Sequence, residues 1–157
     1  MIIDLPYQSR FTTWDEVFQS ENGQQVGWAR ETVDITAPTA GIVQIGTLVV
    51  LSADRKTATI PATFADLTGA TAGTIAIFAG KDLKSDVSTG FNADILDIKA
   101  GALTQTGTVV VDARSGGAIG DAEIKFPAGT TSAQKAEIFT RLKAENGFKV
   151  LRQAVKG

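Results

Sequence analysis

The chain has 157 residues, room for about one domain, with 43% hydrophobic and 20% charged residues, near globular averages. Ala, Thr and Gly supply 22, 19 and 16 residues while His and Cys are absent, which excludes disulfide scaffolds, thiol nucleophiles, Cys or Cys/His metal sites and His-based triads. The net charge of −2 and a pI near 5.1 provide no global basic field for nucleic acid.

The first 25 residues differ in kind, holding Tyr7, Phe11, Trp14 and Phe18, four of the eleven aromatics. With Asp4 and no basic stretch, Met1 to Pro6 is not expected to be a secretory signal. Thr13-x-x-Glu16 reads as a capping box. Trp14, Val17 and Phe18 then fall on one apolar face of a helix expected to stop near Ser20, before Asn22-Gly23. Two turns do not persist alone in water, so this face packs either on its own domain or on a partner.

The middle reads as β-structure. Trp28 to Thr36 is a strand candidate ended by Ala37-Pro38-Thr39. Ile42 to Leu51 carries the strongest strand pattern, with Gly46 marking a bulge or a close backbone approach. Thr57 to Ile60 alternates and is placed to return as its hairpin partner, stopped by Pro61. Phe64 to Leu67 fits one helical turn. Thr74 to Ala79 is apolar on both faces, as a central strand is. Lys81 to Gly90 reads as a loop, Asn92 to Lys99 as a strand with one wet face, and Gly107 to Asp112 as a third strong strand. Ser115 to Gly120 reads as a flexible turn and Ala122 to Phe126 as a short strand.

The tail is the clearest signature. Thr131-x-x-Gln134 forms a second capping box, opening a helix over 132–146. Ala136, Ile138, Phe139 and Leu142 make its apolar stripe, and Gly147 is placed as the glycine that ends it. Phe148 to Arg152 alternates as a last strand. No repeat and no βαβ alternation occurs, which argues against a doubly wound fold. The expected fold is α+β, mostly antiparallel, with a small barrel- or sandwich-like core, an N-terminal arm over 1–25 and a core over 26–157.

Candidate chemistry is sparse. The Gly116-Gly117-Ala118-Ile119-Gly120 run precedes a strand-like segment and lacks the Lys-Ser/Thr of a phosphate loop, so it reads as a turn. Asp94 and Asp97, three apart on a strand, point to opposite faces. Asp82, Lys84, Ser85 and Asp86 form a polar cluster with nothing to force burial of the lysine. No Ca²⁺ loop pattern occurs, and no apolar run approaches the roughly 18 residues of a membrane span. No enzyme, cofactor or metal site is expected. Charge is uneven: residues 1–40 carry net −4 and residues 120–157 net +3. This describes either a solvated surface or acidic and basic ends of neighbouring subunits that meet.

The segment Ile124 to Arg152 resembles the C-terminal part of the head decoration proteins of lambda-like tailed phages. Phe126-Pro127-Ala128-Gly129, Ala133-Gln134-Lys135, Gly147 and Arg152 carry the likeness. Ala72 to Ile77 and Gly41 to Val50 add weaker matches to that family's central and first strands. Residues 1–40 are only loosely comparable, and Leu83 to Ala122 is longer than the family's pattern. The resemblance implies a non-enzymatic homotrimer on the outer surface of the virion, bound to the major capsid protein and bracing the expanded head against DNA pressure, with no nucleic-acid or membrane partner. It also implies a capsid-binding arm, for which Ile2, Ile3, Leu5, Tyr7, Phe11, Trp14 and Phe18 are the candidate contacts. A β-rich, Thr-rich surface module that binds a glycan is the rival expectation.

Overall fold

The computed structural model describes residues 12, 17–20, 30–81, 95–112 and 118–152. The fold is α+β and mostly antiparallel, as the sequence predicts. Its centre is a closed five-stranded barrel of β2 (Arg30–Thr36), β5 (Thr57–Thr59), β4 (Leu48–Leu51), β6 (Ile75–Gly80) and β8 (Thr104–Val110), in that order around the wall. Every neighbouring pair is antiparallel except β2 with β5, the parallel pair that completes the ring. Closure removes the free edges that an open sheet of this composition would expose.

The strand patterns explain the placement. In β2, Val33 and Ile35 are buried while Thr32 and Asp34 are exposed, so one face looks inward and one to water. In β6 all six residues are buried, which requires cover on both sides. Gly107 keeps the barrel interior passable: a Cβ there would stand 3.0 Å from both Ile35 Cδ1 and Phe78 Cε2.

Two smaller sheets flank the barrel. One pairs β3 (Gly41–Gln44) with β7 (Ile95–Ile98). The other has β9 (Ala118–Gly120) between β1 (Phe18–Ser20), antiparallel to it, and β10 (Lys149–Leu151), parallel to it. The short helix α1 (Phe64–Thr68) follows β5, and the long helix α2 (Ser132–Asn146) precedes β10. The α2 boundaries match the sequence expectation, with the Thr131–Gln134 capping box formed and Gly147 left-handed at φ 74°. The buried stripe of α2 is narrower than expected. Ile138 and Leu142 are fully buried, Phe139 is half-buried and Ala136 is exposed.

Four segments depart from the sequence reading. Ile42 to Leu51 is two strands in different sheets, divided at Gly46. There φ is 97°, and a Cβ would collide with the Glu123 carbonyl oxygen. A close backbone approach is present, and it turns the chain from one sheet to the next. The chain is helical at Val17 but extended from Phe18, so no helix reaches Ser20. Phe18 gains more from pairing with Ile119 of β9 than from another unsupported helical turn. Ala118–Gly120 is a strand, not a turn, because its two neighbours supply hydrogen bonds that its own sequence does not announce. Ala122 to Phe126 is not a strand; it makes only the single bridge Thr47–Lys125. Since β1 belongs to the β9 sheet, residues 17–20 are part of the folded body rather than a separable arm.

Candidate functional site

The described surface carries an extended apolar groove, built where two strand ends and the turn into α2 each bring a proline. Pro38 follows β2, Pro61 follows β5, and Pro127 opens the turn into α2. Two hollows of about 330 and 470 Å³ share Pro38, Ile60, Pro61 and Ala62 and so form one continuous depression. The first runs toward Lys125 and Phe126, the second toward Val50 and Gly69. Three of the chain's four prolines therefore line it. Proline has no N–H, so this lining is poor in donors and its attraction for a ligand is chiefly apolar.

The groove's walls are rigid for local reasons. On one side, Ile60 N–H donates to the Thr36 carbonyl at 2.9 Å, tying the end of β5 to the end of β2. The next residues are held by Asp66, whose carboxylate accepts the Ala62 and Thr63 backbone N–H groups at 3.0 and 2.9 Å. These bonds, the Thr63 amide first, hold the Asp66 carboxyl below its ordinary value. On the other side, Thr130 folds back on the Pro127 carbonyl through its hydroxyl at 2.6 Å. The Phe126 ring meets Phe139 of α2 edge to face at 5.5 Å, and Lys135 Nζ lies 5.6 Å from the Phe126 ring centre. Turn and helix start thus form one unit.

A polar cluster marks the Lys125 end. Lys125 Nζ pairs with Glu123 Oε2 at 3.0 Å. The same carboxylate oxygen accepts the Thr12 hydroxyl at 3.3 Å, and Thr12 N–H donates to Gln44 Oε1 at 3.0 Å. Thr12 is buried, so the chain is fixed here, and Glu123 links it to Lys125 of the groove wall.

Of the candidate contact residues, Ile2, Ile3, Leu5, Tyr7, Phe11 and Trp14 lie outside the described residues. Phe18 is 6% exposed and faces Ile119, so its ring serves this chain's own core. The Thr13–Glu16 box, the 82–86 cluster, Asp94, Gly116 and Gly117 also lie outside. Asp97 is exposed on β7, paired with Lys99 at 2.6 Å. Among the described residues no three acidic side chains gather as a metal site would require. The titratable groups on the groove, Asp66 and Lys125, are occupied as a cap and an ion pair. The arrangement presents mainly apolar surface, with Asp66 and Lys125 held by partners within the chain.

The sequence reading takes Pro38 and Pro61 as strand breakers and Pro127 as part of the turn into the last helix. The missed signal is that the three converge, which needs the barrel to be closed first. Comparison with protein-family models, curated proteins and solved structures finds no match for this chain.

Proposed function

We propose that this chain is a non-enzymatic capsid decoration protein of a lambda-like tailed phage. It binds the major capsid protein on the outside of the expanded head as a homotrimer and braces the shell. The observation that supports this reading is the tail unit from Ile124 to Arg152. Its residue pattern resembles that family's, and it folds here as one continuous turn, capped helix, left-handed glycine and strand. Its last strand, β10, shares β9 with β1, so the tail unit and the N-terminal chain meet in one small sheet. A pull on the N-terminal residues would pass directly into the folded body through the Thr12, Val17 and Phe18 anchors. Three such attachments in a trimer multiply weak single contacts through effective concentration.

Cosedimentation of the purified chain with expanded, decoration-free heads of its own phage tests this. Saturable binding in multiples of three per three-fold site is expected, lost when residues 1–11 are deleted. That deletion spares Thr12, Val17 and β1, which belong to the body. Absence of binding to intact expanded heads overturns the proposal.

A further inference from the structure

We propose that the proline-lined groove is the resting site of the chain's own N-terminal segment, residues 1–11, in the free molecule. Three observations converge on it. The first is the groove's chemistry: Pro38, Pro61 and Pro127, with Ile60 and Phe126, present apolar surface and few donors, so an occupant must contribute apolar side chains. The second is the composition of the segment. Ile2, Ile3, Leu5, Pro6, Tyr7 and Phe11 fall within eleven residues that carry only one acid and one base.

The third is the point of attachment. Thr12 is buried and clamped to Gln44 and to Glu123, and Glu123 is ion-paired with Lys125, a wall residue of the first hollow. The segment therefore starts one hydrogen bond and one ion pair away from a wall of the groove. Eleven extended residues reach about 36 Å, on the order of the breadth of a domain this size. They suffice to run from Lys125 past Ala62 to the second hollow. A tether this short also gives a local concentration on the order of millimolar, so a shallow apolar groove can hold the segment without tight intrinsic affinity.

The inference goes beyond the decoration reading and stands without it. If both hold, the groove covers the apolar side chains until a shell surface competes for them.

Because the chain has no cysteine, Ser9→Cys provides a single thiol for a nitroxide spin label. In ¹⁵N-labelled protein the label should broaden the amide signals of Ala62, Ala65 and Ala128 several-fold. It should spare Arg30 at the opposite end of β2. Ala62→Arg, an exposed position shared by both hollows, should abolish the broadening while leaving amide dispersion unchanged. A synthetic peptide of residues 1–11, added to the chain lacking them, should shift the same three amides saturably. Absent broadening at the groove, broadening that survives Ala62→Arg, or a peptide that shifts nothing overturns the proposal. Broadening seen only when spin-labelled unenriched protein is mixed with unlabelled ¹⁵N protein also overturns it, because the occupant is then a second copy. No heads are used, so this outcome is independent of the capsid experiment.

Discussion

The barrel has two unlike walls. On one side, β4 and β6 are almost entirely buried, and α2 is fastened over the neighbouring strand ends by Asn146, whose side-chain amide donates to the Ile75 and Val111 carbonyls at 3.0 and 2.6 Å. On the other side, β2, β5 and the first half of β8 turn Thr32, Asp34, Thr57, Thr59, Thr104 and Thr106 outward. Three threonine hydroxyls along that wall have partners on the neighbouring strand. Thr36 meets Thr104 at 2.7 Å, and Thr106 donates to Asp34 at 2.9 Å. The covered wall draws its stability from apolar burial on two faces. The open wall is a single-faced sheet whose outer residues need only tolerate water and fit a pleated surface.

The contrast can be broken most sharply from the covered side. Phe78→Ala removes a fully buried ring at the barrel centre and should cost about 3–5 kcal/mol, read as a lowered denaturant midpoint. Asn146→Ala comes next, at about 2 kcal/mol, because buried carbonyls lose their donor. Its melt should show α2 loosening ahead of the barrel if the amide is what fastens the helix. Retained cooperativity and midpoint would place the fastening in Ile138 and Leu142 alone.

Acid probes the same clasp more gently. Arg141 donates to Glu145 at 3.0 Å and to the Leu67 and Ala70 carbonyls at 2.8 and 2.9 Å, joining α2 to the end of α1. The Arg141 hydrogen bond, then the Gly73 amide, holds the Glu145 carboxyl below its ordinary 4.5. A depressed carboxyl stabilises the fold above its unfolded value and loses that contribution as pH falls through the folded one. Thermal midpoints should therefore fall as pH drops below about 4.5, and Glu145→Gln should make that slope shallower. An unchanged slope would remove Glu145 from the clasp. The smallest effect belongs to the open wall. Thr106→Val should shift stability by no more than about 0.5 kcal/mol, and a loss above about 1 kcal/mol would show that the Thr106–Asp34 hydrogen bond carries more than an exposed contact should.

How much could be read from the residues follows the same division. The bounds of the 132–146 helix are legible, because its cap and its ending glycine are local, whereas its buried stripe is narrower than the periodicity implies. The central placement of β6 and the return of β5 beside β4 are legible too. Gly46 was recognised as special, but local pattern cannot separate a bulge within one strand from a turn between two sheets; the Glu123 carbonyl that decides it lies far along the chain. Ala118–Gly120 is three residues made a strand by neighbours on both sides, which no short window reveals. The groove was illegible for the same reason, since Pro38, Pro61 and Pro127 become neighbours only once the ring is closed.

The pairing of β2 with β8 has a consequence for how the molecule comes to exist. Thr36 and Thr104 stand 68 positions apart, and this strand pair links β2 to β6 in the ring. Closing so distant a pair is an entropic cost that must be met before the contacts repay it, so closure is slow compared with the local formation of α2. Until β8 arrives, β6 offers a naked edge on a strand that is apolar on both faces, the kind of surface that recruits other unfinished chains. Refolding yield should therefore fall as protein concentration rises, although the finished barrel, having no edge, shows no such liability.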